Sequence, residues 1–148
     1  MARIAVAGNP AFEISEIEAH GDEPSYSYQT VERLRDERPG DDLFFLIGAD
    51  SLTDLPTWRH PERLARAATI VVVDRPGVPA SVIPDLGPEA RLPVRVESPL
   101  IGISSTDLRR RVLDGDSIRY LVPRGVEAYI QAHALYTAEA GEVVGVPR

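Results

Sequence analysis

The stretch Gly102-Ile103-Ser104-Ser105-Thr106-Asp107-Leu108-Arg109-Arg110-Arg111 passes from an extended apolar segment straight into a charged helix. Its start can hold an anion. Ser104, Ser105 and Thr106 supply hydroxyl caps, the free N–H groups of the first helical turn point the same way, and Arg109 follows one turn later. An ordinary N-cap with a solvated arginine face accounts for the same string. A second stretch, Gly48-Ala49-Asp50-Ser51, follows the apolar run Leu43–Ile47. Glycine and then an acid at the carboxyl end of a strand allows close backbone approach and acceptance from ribose hydroxyls. A plain strand-to-helix turn with Asp50 as N-cap reads equally well. Tyr26 and Tyr28 stand beside a helix start and suit either a ring-shaped ligand or the edge of a core, and the second reading is the simpler. By the same economy Trp58 reads as core, His60 as a polar helix-start residue, His20 as a solvated loop side chain and His133 as a partner for a helix C-terminus.

Composition narrows the classes. The 148 residues are 43% hydrophobic, carry a net charge of −7 and contain no cysteine. That is one domain's worth of globular chain, without disulfides, thiolate catalysis or sulfur-ligated zinc. The acidic balance argues against a nucleic-acid surface, which needs a basic face. The longest apolar run, Ala67 to Val73, is too short to span a bilayer, and no basic and apolar leader opens the chain. A cytoplasmic location is expected, and the acidic pI suits a soluble homo-oligomer. Charge is uneven. Residues 12–23 hold five acids and no Lys or Arg, whereas residues 109–124 hold five arginines and two aspartates, enough for one small polyanion.

The elements that must position these residues alternate. Met1 to Ala7 reads as the end of a helix stopped by Gly8-Asn9-Pro10. Phe12, Ile14 and Ile17 suggest a short, imperfect strand. Ser25 or Ser27 is placed to cap a helix with Val31 and Leu34 inward. Leu43–Ile47 and Thr69–Val73 read as parallel strands covered on both faces, the second stopped by Asp74-Arg75-Pro76-Gly77. Pro61 opens a helix to Ala67. Residues 78–92 form a variable surface connection, and Val94 and Val96 a third strand. The Ser-Ser-Thr helix runs to Asp114-Gly115, and residues 124–134 form a last helix with Val126, Tyr129 and Ile130 inward. From Thr137 the pattern is lost. The fold class is α/β, a Rossmann-like parallel sheet with flanking helices.

Taken together, six motifs in order resemble the bacterial nicotinate-nucleotide adenylyltransferases of the nucleotidyltransferase superfamily. They are Pro24-Ser25-Tyr26-Ser27-Tyr28-Gln29-Thr30, Ile47-Gly48-Ala49-Asp50-Ser51, Trp58-Arg59, Asp74-Arg75-Pro76-Gly77, Ile103-Ser104-Ser105-Thr106-Asp107-Leu108-Arg109 and Arg119-Tyr120-Leu121-Val122-Pro123. The likeness implies transfer of AMP from ATP to nicotinate mononucleotide with Mg²⁺, by direct attack of one phosphate on another. It assigns Gly48, Asp50, Ile103, Ser104, Ser105, Thr106 and Arg109 to ATP. Tyr26, Ser27, Trp58 and Arg59 go to the nicotinate nucleotide, with Trp58 stacking on the pyridine ring. Two positions depart from the family pattern: Ser27 replaces the usual Thr and keeps its hydroxyl, while Gln29 replaces the usual Asp and changes the charge of that loop.

The family's glycine-rich first strand turn and H-x-G-H motif do not occur in the 148 residues. The expectation is that they lie before Met1, in about 60 residues of strand, helix and strand. Residues 1–136 would then be the C-terminal part of a single nucleotidyltransferase domain, residues 137–148 a flexible tail, and the isolated chain inactive and poorly cooperative on melting. The competing readings are a related enzyme of the phosphopantetheine adenylyltransferase kind and a nucleotide-binding module without catalysis.

Overall fold

The structure is a computed structural model that describes residues 1–19, 24–73, 82–99 and 101–138. Its contacts divide into two compact units, one of residues 16–101 and one of residues 1–15 with 102–148.

The first of these units is built on three parallel strands in the order β1 (Phe44–Gly48), β2 (Thr69–Val73), β3 (Val94–Val96). Phe44 pairs with Thr69 through Gly48 with Val73, and Val71 with Val94 through Val73 with Val96. Around the sheet come α2 (Ser27–Glu37), α3 (Ala49–Asp54), a 3₁₀ turn at Leu55–Thr57, and α4 (Pro61–Ala67). Side chains alternate across a strand, so Ile47, Ile70 and Val72 share one face. They join Val31, Leu52, Leu55 and Leu64 from the helices in a single buried cluster. Pro61 stands in the first turn of α4, where its missing N–H costs nothing.

The opposite face departs from the expectation of strands covered on both sides. Phe44 is 59% exposed, Leu46 66%, Val94 47% and Val96 41%. The reason is that the helix residues of this unit all gather on the Ile47–Ile70–Val72 side. The continuous apolar run thus marked parallel pairing correctly without marking cover. In the described part of the connection to β3, Leu86 is buried in the same cluster and the Arg91 N–H donates to the Ala65 carbonyl at 3.0 Å, anchoring a stretch whose composition read as free surface. The Asp74–Gly77 stop and His20 lie outside the described residues.

Two local readings are corrected. Residues 12–16 form no strand: Phe12 is 61% exposed, and Asn9 turns the chain by accepting from the Ala11 and Phe12 N–H groups. A strand needs a ladder partner, and Ile14 and Ile17 are three apart rather than two. Neither Ser25 nor Ser27 caps α2. Tyr26 occupies the cap position without a side-chain bond, and Ser27 is already the first helical residue.

The second unit holds α1 (Ala2–Val6), α5 (Ser105–Leu113) and α6 (Arg124–Ala132). The short α1 packs on α6 at Gly125, where an added Cβ would stand 2.6 Å from Ile4 Cγ2, so a hydrogen is required there. Ile118, Val126 and Ile130 form the core, with Leu108, Val112, Leu135 and Tyr136 packed against it. Both long helices end in Schellman motifs. For α5, Asp116 donates to Arg111 and Gly115 to Val112, with Gly115 at φ 78°. For α6, Leu135 donates to Ile130 and Ala134 to Gln131, with Ala134 at φ 48°. Thr137 donates to the Ala134 carbonyl at 2.9 Å, and residues 139–148 lie outside the described residues.

Candidate functional site

The first turn of α5 is organised by its own cap. Ser104 is the cap residue in extended conformation, and its Oγ accepts the Asp107 N–H at 3.0 Å. Its hydroxyl is therefore occupied by the helix itself. Ser105 and Thr106, the first two helical residues, are exposed, and Ile103 leads into them at 41% exposure. Their N–H groups precede the intrahelical ladder and lie at the positive end of the helix dipole.

The arginine run resolves into unequal members. Asp107 accepts from Arg110 Nη2 at 2.5 Å and from Arg111 Nε at 3.0 Å. The hydrogen bond from Arg111, with the charges of both guanidinium groups, holds the Asp107 carboxyl below the usual carboxylate range and outweighs burial, which acts the other way. Two of the three charges are thereby spent inside the helix. Arg109 carries no ion pair among the described residues, and its guanidinium lies over the Tyr136 ring, 5.6 Å from the centroid. A similar pairing removes Arg119, whose Nε is 3.7 Å from the buried carboxylate of Glu127. The local excess of charge counted along the chain therefore narrows to a few cations, of which Arg109 is on the helix that carries the exposed Ser105 and Thr106. A cavity of about 140 Å³ opens against the same residues, with Ser105, Arg109 and Tyr136 in its wall. A larger concavity of about 350 Å³ around Arg119, Tyr120 and Arg124 is lined by no residue of α5.

In the sheet unit, Gly48 ends β1 and is itself the cap residue of α3. Ala49 is fully buried, and Asp50 is exposed in the first turn of α3. Asp50 is thus inside the helix and not its N-cap. An acid in the first turn suits the helix dipole. The carboxyl ends of parallel strands are also where open α/β sheets take ligands.

The residues assigned to the nicotinate nucleotide lie in a lattice of rings and guanidinium groups. The Tyr26 and Tyr28 rings stack 6.2 Å apart, the Arg59 guanidinium lies 5.4 Å from the Tyr26 centroid, and Arg63 lies 4.4 Å from that of Tyr28. Tyr28 is buried, as the simpler reading held, whereas Tyr26 is exposed. Ser27 is half-buried at the start of α2. Trp58 is half-buried and meets Phe45 edge-on at 6.3 Å, so one side of its indole is core and the rest is open.

Sequence reasoning passed over Arg63 and its partner Glu32, and gave His60 only a polar role at a helix start. Arg63 is gripped by Glu32 through Nε at 2.9 Å and Nη2 at 2.6 Å, and this fork raises its pKa further above the ordinary arginine value. Tyr28 and the Arg63–Glu32 pair meet only through packing of α2 on α4, which no spacing along the chain announces. His60 stands at φ 52°, left-handed, with its Nδ1 3.2 Å from Glu62 and its ring edge-on to Tyr28 at 5.1 Å. Its one signal was the following Pro61, since a residue before proline is driven from the right-handed helical region. His133 sits at the C-cap of α6, with Nδ1 donating to the Tyr129 carbonyl at 3.0 Å, a structural role at that helix end.

Comparison with known proteins agrees on one family. The profile described as cytidylyltransferase-like matches residues 1–111. A Thermus thermophilus protein named probable nicotinate-nucleotide adenylyltransferase is 46% identical over 137 residues, covering 92% of this chain and 70% of that protein. A Roseiflexus protein of the same name is 48% identical over 142 residues, covering 92% of this chain and 69% of its own. Among solved structures, Plasmodium falciparum nicotinic acid mononucleotide adenylyltransferase complexed with APC superposes with a TM-score of 0.67. It is 17% identical and is covered over 70% of its length by 88% of this chain, which shows a common fold. The same enzyme complexed with NaAD gives a TM-score of 0.64.

Proposed function

This chain belongs to the cytidylyltransferase-like family, among the nicotinate-nucleotide adenylyltransferases, and from that premise we propose that it serves the transfer of AMP from ATP to nicotinate mononucleotide. An oxygen of the mononucleotide phosphate attacks the α-phosphorus of ATP, the bond from that phosphorus to the bridging oxygen breaks, and pyrophosphate leaves with nicotinate adenine dinucleotide as product. The protein supplies position and charge rather than a covalent intermediate. The proposed place of action is the cytoplasm.

The observation that carries this reading is the inequality within the arginine run. Asp107 pairs with Arg110 and Arg111, so Arg109 is the cation of this helix that no carboxylate among the described residues holds, beside exposed Ser105 and Thr106. A phosphate needs that combination of fixed N–H donors and one forked cation. On this reading Ile103, Ser104, Ser105, Thr106 and Arg109 receive the phosphates of ATP, with Ser104 acting through the cap it makes. Gly48 and Asp50 receive the ribose. Tyr26, Ser27, Trp58 and Arg59 receive the nicotinate nucleotide, with the open side of Trp58 under the pyridine ring. Among the described residues no three His, Cys, Asp or Glu side chains gather as a cage. Mg²⁺ brought on the phosphates of ATP would neutralise charge on the departing pyrophosphate, while the α5 start and Arg109 would hold the phosphates that carry it.

The test is calorimetric titration of the 148-residue chain with ATP, adenosine and nicotinate mononucleotide. Arg109→Ala should weaken ATP about tenfold or more and leave adenosine unchanged, as expected for one lost charge-assisted hydrogen bond. A chain that binds neither ATP nor the mononucleotide overturns the reading, and capture of phosphopantetheine in place of the mononucleotide favours the sister activity.

A further inference from the structure

Two residues without glycine's freedom adopt left-handed backbone within four positions after α6: Ala134 at φ 48° and Tyr136 at φ 63°. Ala134 is explained by the Schellman turn that ends the helix. Tyr136 is not part of that motif. A bulky residue held there signals that the surroundings over-determine its place, and such outliers gather where a side chain must be aimed.

The surroundings are on the same unit. Leu135 turns back into the core beside Ile130, Thr137 ties the turn through the Ala134 carbonyl, and the half-buried Tyr136 ring packs on the core formed with α6. The outer face of that ring lies under the Arg109 guanidinium, and both line the cavity that reaches Ser105. Arg109 has no carboxylate among the described residues to hold it, in contrast to Arg110 and Arg111. A guanidinium held beside an aromatic ring by its charge spends none of its five N–H donors on a carboxylate, so they stay free for an acceptor.

We propose that Tyr136 is a positioning residue for Arg109: the hook after α6 fixes the ring, and the ring fixes the guanidinium that meets the phosphates of ATP. The inference rests on the phosphate reading of the α5 start and adds a residue to it. Stacking in place of an ion pair orders the cation without neutralising it, so its charge stays available to the ligand.

Tyr136→Phe keeps the ring and Tyr136→Leu removes it while keeping an apolar plug. In the ligand-free 148-residue chain, the Arg109 Nε–Hε resonance, assigned through Arg109→Lys, should carry a ring-current shift that Tyr136→Phe retains and Tyr136→Leu abolishes. Titration should show ATP weakened about fivefold in Tyr136→Leu, native in Tyr136→Phe, and adenosine unchanged in both. An unshifted Arg109 resonance in the native chain, or loss of ATP and adenosine affinity in equal measure, overturns the proposal. If the native chain binds no ATP, the phosphate reading falls, and the resonance still decides whether Tyr136 sets the arginine.

Discussion

Leu52, Leu55, Leu64, Ile70 and Val72 of the sheet unit are all fully shielded from solvent, while in the helical unit the core rests on Ile118, Val126 and Ile130, none of which is fully buried. The two units answer the same need with different means. The first relies on apolar burial, which is non-directional and scales with area. The second, poor in burial, relies on directed local devices: the Ser104 cap, Asp107 shared between two arginines, and a Schellman turn at the end of each long helix. The difference teaches where function can be placed. A helix organised by its own termini can leave its first turn and one arginine exposed, because little of its order comes from burying them.

The comparison can be broken most directly in the core. Ile70→Ala should destabilise the sheet unit by about 2–5 kcal/mol, the usual cost of emptying a closed apolar site. Urea unfolding followed through Trp58, the lone tryptophan, reads it. A loss under 1 kcal/mol would mean that burial there is not what holds the strands.

The helical unit should answer instead to its turns. Gly115→Ala, forcing a Cβ into a left-handed site, should cost about 1 kcal/mol, while Ala134→Gly, relieving the same strain, should gain about 0.5–1 kcal/mol. Opposite signs in amide-exchange protection of α5 and α6 would sharpen the comparison, and equal signs would refute it.

The smallest effect is electrostatic. Because its arginines hold Asp107 below the ordinary carboxylate pKa, the carboxylate contributes stability above its unfolded value of about 4 and loses it as the pH falls through the lower folded value. Native and Asp107→Asn chains should therefore differ at pH 6 and converge toward pH 2. The check is melting temperature against pH, and a gap that widens in acid would contradict the assignment.

Much of this was legible along the chain, and the exceptions are specific. The bounds of α4 and α5 follow from Pro61 and from Ser104 and Gly115, since caps and prolines act over a few residues, whereas α6, read to Ala134, ends at Ala132 because the chain turns left-handed at Ala134. The strand read at Phe12–Ile17 failed because alternation describes a strand only if a neighbour completes its ladder. Arg63 and Glu32 stayed hidden because a cation and a carboxylate from two helices meet, beside the Tyr28 ring, only when those helices pack.

What the sequence by itself determined was the alternation of strands and helices, the hydroxyl-rich helix start, the glycine–acid turn and the order of motifs that marks the family, all of them written in neighbouring residues. What only the tertiary structure decided was which sheet face is covered and which ring lies beside Arg109. Cover and ring contacts depend on distances between atoms far apart in the chain, and no local pattern carries those distances.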